Sequence, residues 1–263
     1  DGEKERMMKN ILLTIEYDGT NFHGWQKQPG KRTVQGELEK VLSMVCNTGI
    51  SLNGTSRTDA GVHALGQQAS FKAEFGIPVE RISYAANNIL TGGMNSITVG
   101  DVRIKEVLEM PLDFHARFDA KGKTYRYLIL NREEISIFNR NYCYQVRKPL
   151  DIEAMQKAAS MIIGTHDFKC FQAAGSEEKA TTVRTINEID IAKKEQRIAI
   201  EVTGDGFLYN MVRIIAGTLV EVGLGKKKQE EIPRIIESLD RCNAGHTAPP
   251  QGLYLARVYY DMI

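Results

Sequence analysis

Residues 13–25, LTIEYDGTNFHGW, run from an alternating, β-branched stretch through Asp-Gly into aromatic residues, and residues 198–212, IAIEVTGDGFLYNMV, follow the same course. Asp-Gly at the end of a strand pattern marks a turn. The echo predicts two similar halves, each with a strand that runs through a Gly/Asp turn into an aromatic residue.

Working outward, the first half reads as alternating strands and helices. Strands are expected over 10–19, 50–57, 68–75 and 96–107, the last bulged at Gly100. Val34, Leu38, Val41, Leu42 and Val45 predict a helix over 33–46 with Thr33 as its N-cap, and a second helix is expected over 78–90. In the second half, strands are expected over 123–130 and 252–260, and a strand pair with a tight charged turn over 183–204. Helices are expected over 150–164, capped by Asp151 and Gly164, over 207–223, largely buried, and over 228–239, on the surface.

This pattern gives an α+β fold: two similar halves, each a mixed or antiparallel sheet with helices on one face, forming an extended sheet with a central cleft. The other sheet face is then open, as in sheets that stack RNA bases. A proline and a change of polarity near 108–115 suggest the division. Residues 1–8 read as a flexible tail, 9–110 as an N-terminal subdomain and 111–263 as a C-terminal one.

Composition excludes several classes. The 263 residues are 42% hydrophobic and 25% charged, with a net charge of +1. No apolar run reaches the roughly 18 residues that span a bilayer. The opening DGEKERMMKN lacks the apolar core of a signal peptide, so a cytoplasmic location is expected. Cys46, Cys143, Cys170 and Cys242 form no CxxC pair and are expected to be mostly buried thiols. His23, His63, His115, His166 and His246 show no metal-ligand spacing. GLGKKK (223–228) fails as a phosphate loop, with Val220 in place of the first glycine and Lys227 in place of Ser or Thr. No cofactor and no metal are expected.

Charge is uneven. Residues 117–148 hold eight basic side chains against three acidic ones, interleaved with Phe118, Tyr125, Tyr127, Phe138, Tyr142 and Tyr144. Such a stripe fits an RNA-binding surface, and it equally fits a solvated strand face.

Three positions stand out chemically. Asp59, in SRTDAGVHALGQ (56–67), fits a turn through Asp-Ala-Gly. It also fits catalysis, because on a strand Arg57 shares its face and keeps it ionised, and a turn needs neither Arg57 nor His63. Tyr125 fits a core tyrosine, or a phenol that stacks on a base and moves a proton. Arg213, among apolar neighbours, either snorkels to water or pairs with a buried carboxylate, for which Asp59 is the candidate.

Together, SRTDAGVHALGQ, DFHARFDAKGKTYRY, GDGFLYNMVR and APPQGLYL resemble the TruA-type tRNA pseudouridine synthases, and the opening YDGTNFHGWQ fits as well. The likeness spans about residues 9–260, with Ser56 where the family carries glycine. It implies an isomerase that converts uridine to pseudouridine in the anticodon stem-loop of tRNA, at positions 38–40, working as a homodimer without cofactor. By that resemblance Asp59 is the catalytic aspartate of the first subdomain, and the second completes the cleft. Tyr125 stacks under the uracil as a general base, and Arg213 pairs with Asp59. Arg57 fills the gap left by the flipped nucleotide, Leu253 lines the pocket, and His63 joins the substrate-binding set. Whether Asp59 adds covalently or abstracts a proton stays open. One rival reading is a non-catalytic RNA-binding module with two RRM-like halves. The other is a metal-dependent hydrolase using Asp59 and His63, which a chelator would silence.

Overall fold

A computed structural model describes residues 6–93, 100–175 and 180–261. The chain forms two compact units, residues 1–120 with 255–261 and residues 121–254. Both are α+β, as the echo of 13–25 in 198–212 predicts.

In the first unit β1 (Met7–Tyr17) lies between β3 (His63–Phe75) and β4 (Val102–Met110), antiparallel to both. Ile11, Leu12 and Leu13 are all buried, so both faces of β1 are covered at its centre. The strand begins at Met7, earlier than Asn10, because Met7, Met8 and Lys9 pair with Phe75, Glu74 and Ala73. Two helices accompany the sheet, α1 (Val34–Cys46) and α2 (Val79–Leu90). Thr33 caps α1 by accepting the Gly36 amide, and Leu38 and Leu42 are fully buried along its inner stripe.

The strand expected over 50–57 is cut down to β2, Asn53–Gly54, on the edge of β3. Side chains of α1 take its main-chain donors: the Ile50 amide goes to Ser43 Oγ (2.9 Å) and the Leu52 amide to Glu39 Oε1 (2.8 Å). Residues 96–99 of the fourth expected strand lie outside the described residues. The irregularity falls away from Gly100: the register of β1 on β4 shifts between Thr14 and Ile15.

The second unit holds β5 (Gly122–Asn131), β9 (Arg197–Gly204), β8 (Val183–Lys194) and β7 (Gly164–Asp167) in that order, all antiparallel. The short β6 (Tyr144–Val146) runs parallel to β5 and makes the sheet mixed. Helices α3 (Ile152–Ser160) and α4 (Met211–Gly223) pack against each other, and α5 (Ile232–Ser238) follows. Asp151 caps α3 as expected, but the helix ends at Met161, and Gly164, at φ +118°, opens β7 instead. Likewise α4 starts at Met211, because Asn210 takes a left-handed φ of +58° that no helix continues. The helix expected over 228–239 is shortened by a 3-10 turn at Gln229–Glu231. The closing strand β10 (Leu253–Tyr259) passes from the second unit into the first at Leu255.

Cys46 and Cys170 are buried, Cys143 is half-buried and Cys242 is exposed, all as free thiols. Among the described residues, no helix is long and apolar enough to cross a membrane. No group of three or more His, Cys, Asp or Glu side chains among them stands where it would hold a metal ion.

Candidate active site

Arg57 and Asp59 sit on a loop, past the end of β2, whose intervening residues are locked inward. Thr55, Ser56 and Thr58 are buried, while Arg57 is exposed and Asp59 half-buried. The loop is fastened at each buried step. Thr55 N donates to Gln68 O (2.9 Å), Gln67 Nε2 to Ser56 O (2.8 Å), and Thr58 Oγ1 shares a 2.6 Å bond with Tyr17 Oη. The turn itself is closed by main chain: Val62 N donates to Asp59 O (3.1 Å), with Gly61 at φ +81° in the position that favours glycine. A cation and a carboxylate are thus held on a rigid scaffold.

The segment 17–25 forms that scaffold. Trp25 N donates to Thr58 O (3.0 Å), and Gly24, at φ +79°, lies so close that a Cβ there would come within 2.6 Å of the same oxygen. His63 stands at the head of β3, only 2% exposed, and its Nδ1 accepts the Gly19 amide at 2.9 Å. An amide only donates, so this contact requires the lone pair on Nδ1 and the neutral Nε2–H ring. The longer approach of Asp18 Oδ1 (3.3 Å) does not make an ion pair of it.

In the second unit Tyr125 lies on β5, half-buried, with its ring edge-on to Phe207 (centroids 5.0 Å apart, 85° between planes). Tyr127, two residues on and on the same face, is completely buried and donates to Pro249 O (2.7 Å). Burial pushes its phenol far above the ordinary range, so it stays a donor. Arg213 lies in the first turn of α4. Its Nε donates to Ala248 O (2.8 Å) and its Nη1 to Asn210 Oδ1 (3.1 Å), and Ala248 N returns a bond to Arg213 O (3.0 Å). Leu253 is buried at the start of β10.

The segment carrying Ala248 and Pro249 is held from behind by His246. Its amide and Nδ1 both meet Glu221 Oε1 on α4 (2.9 Å each), and its Nε2 meets Tyr144 Oη (3.1 Å). Burial alone would raise the Glu221 carboxyl, but the two His246 hydrogen bonds and the nearby Lys227 outweigh it and hold the group below its usual value.

The first unit thus carries Arg57 and Asp59 on one fastened loop, and the second carries Tyr125 against Phe207 on β5 and Arg213 bonded to Ala248 and Asn210 at the head of α4. A sequence model of the tRNA pseudouridine synthases matches residues 13–119 and 158–261, most of the chain. The chain belongs to the tRNA pseudouridine synthase family. A tRNA pseudouridine synthase A from Acetivibrio thermocellus is 52% identical over 253 residues, 96% of this chain and all of that protein. One from Ruminiclostridium cellulolyticum is 51% identical over 254 residues, and a tRNA pseudouridine synthase A 2 from Clostridium tetani is 49% identical over 257.

Within this synthase fold, several supporting residues escape a search for reactive side chains. Phe207 holds Tyr125 by ring contact, Ala248 holds Arg213 by a carbonyl, and Tyr17 holds the Asp59 loop by a buried hydroxyl. All three lie in or beside the motif strings GDGFLYNMVR, APPQGLYL and YDGTNFHGWQ. Their signal is membership in a motif without reactive chemistry of their own.

Proposed function

We propose that this protein isomerises uridine to pseudouridine in the anticodon stem-loop of tRNA, with Asp59 as the ionised catalytic carboxylate. The observation that carries the reading is the Asp59 loop. Its turn is closed by main chain, and its buried Thr55, Ser56 and Thr58 fix Arg57 and Asp59 in place. A turn alone requires none of that fastening.

The reaction breaks the N1–C1′ bond of the uridine, turns the uracil and forms C5–C1′. The C5 proton is then removed and the freed N1 takes up a proton, so atoms and charge balance without redox chemistry, cofactor or metal. Asp59 supplies the carboxylate that acts on the nucleoside. Arg213 pairs with it and keeps it ionised. Tyr125 stacks on the uracil and takes the C5 proton. The target must leave the helix stack, which costs a few kcal/mol and least in a loop or weak stem. Arg57, exposed beside Asp59, fills the vacated space, and its fork suits base or phosphate. Leu253 supplies apolar lining. His63, which the family resemblance places among the substrate-binding residues, acts through the Gly19 amide that it accepts, as a support for the loop. The enzyme works in the cytoplasm as a homodimer.

The test is tritium release from tRNA labelled at uracil C5. One tritium should be released per pseudouridine formed, and no release from a tRNA carrying uridines in its anticodon stem-loop would overturn the proposal.

A further inference from the structure

The segment 111–119 is fastened more heavily than a connecting turn requires. Asn10 Nδ2 donates to both Pro111 O and Phe114 O (2.7 Å each), and Ser70 Oγ accepts the Ala116 amide (3.0 Å). Ala116 O receives Tyr260 Oη (3.0 Å) and Thr55 Oγ1 (3.1 Å), the same Thr55 that begins the Asp59 loop. Asp119 Oδ2 accepts the His115 amide (2.7 Å), and His115 Nδ1 accepts the amides of Arg117 (3.1 Å) and Phe118 (3.3 Å).

What this rigid turn presents outward is an aromatic ring. Phe118 is 75% exposed, stacked on His115 with centroids 4.2 Å apart and 32° between planes. The Arg117 guanidinium lies 6.0 Å from the Phe118 centroid and is itself exposed. A flat apolar ring three-quarters open to water gains little for folding, since burial is what stabilises it. An open π-face with a cation beside it is the arrangement that takes a nucleobase and its adjoining phosphate.

We propose that the His115–Phe118 pair is a stacking platform for an unpaired base of the RNA substrate, with Arg117 contacting the neighbouring phosphate. This rests on the reading above that RNA is the substrate. Because every base has a π-face, the platform holds a nucleotide without selecting its identity. Its link through Ala116 O to Thr55 ties that grip to the loop carrying Asp59.

The test measures binding of in vitro-transcribed tRNA across salt concentrations to wild-type protein, Phe118→Leu, Phe118→Tyr and Arg117→Gln, alongside pseudouridine formation. Phe118→Leu should weaken binding about tenfold or more without changing the slope of log K against log salt. Phe118→Tyr should restore it, since a flat ring is what matters. Arg117→Gln should weaken binding and lower the salt slope by about one. The thermal midpoint of Phe118→Leu should equal that of wild type, because the ring is open. Wild-type affinity in Phe118→Leu, a tyrosine variant as weak as the leucine one, or a changed oligomeric state would overturn the platform. If wild type makes pseudouridine and Phe118→Leu binds normally, the platform alone fails. If wild type makes none while Phe118→Leu still binds more weakly, the platform stands and the isomerase reading fails.

Discussion

Arg213 and Ala248 exchange two hydrogen bonds, Nε to carbonyl at 2.8 Å and amide to Arg213 carbonyl at 3.0 Å. The exchange fixes the guanidinium at the head of α4 and the 244–252 segment in one geometry. The bond from the charged guanidinium contributes about 1.5–3 kcal/mol. Lysine has no fork with which to reach both Ala248 O and Asn210 Oδ1. Arg213→Lys should therefore lower the single-turnover rate of pseudouridine formation ten- to hundredfold while tRNA affinity changes far less. Rate and affinity measured on the same preparation check this.

Gly24 tests the support beneath Asp59. An alanine there meets Thr58 O and is strained at φ +79°. Gly24→Ala should cost about 1–3 kcal/mol of stability in urea denaturation. It should also depress isomerisation at temperatures where the variant is fully folded, because relief of the contact moves the loop itself.

The Glu221–His246 contact gives a dependence on acidity. Glu221 is held below its ordinary value of 4.5, despite burial, by the His246 bonds and Lys227. A carboxyl with a depressed folded value stabilises the fold above its unfolded value, and that contribution is lost as pH falls through the folded one. Glu221→Gln should be less stable than wild type at pH 7 by about 1 kcal/mol. The gap should close as pH falls below about 4.5. Paired denaturation curves across pH 3–7 check it.

Local chemistry made part of this molecule legible. Thr33 and Asp151 each accept an amide three residues on, so both helix starts follow from a few residues. The ends depended on distant partners. Gly164 looked like a helix stop, but its main chain pairs with Ile186 on β8. The strand expected at 50–57 lost its donors to Glu39 and Ser43, which only the folded α1 brings near. The passage of β10 from one unit into the other leaves no mark in GLYLARVYY itself. At the candidate site, Asp59, Tyr125 and Arg213 stood out because a carboxylate in a glycine turn, a phenol in a strand and a cation in an apolar helix each call for explanation. Their supports, Phe207, Ala248 and Tyr17, act through a ring edge, a carbonyl and a buried hydroxyl, so only their place inside the motif strings marks them in the sequence. Strand alternation does not put Arg57 and Asp59 on a common face, because both lie on the loop beyond β2.

The central claim is that the Asp59 carboxylate performs the isomerisation. The most direct measurement maps pseudouridine, nucleotide by nucleotide, in tRNA treated with wild-type protein and with Asp59→Ala, with binding measured in parallel. Wild type should produce pseudouridine in the anticodon stem-loop, and Asp59→Ala should produce none while binding tRNA at least as well, since it removes an anion from a phosphate-binding surface. Pseudouridine at the same nucleotides from Asp59→Ala would contradict the account.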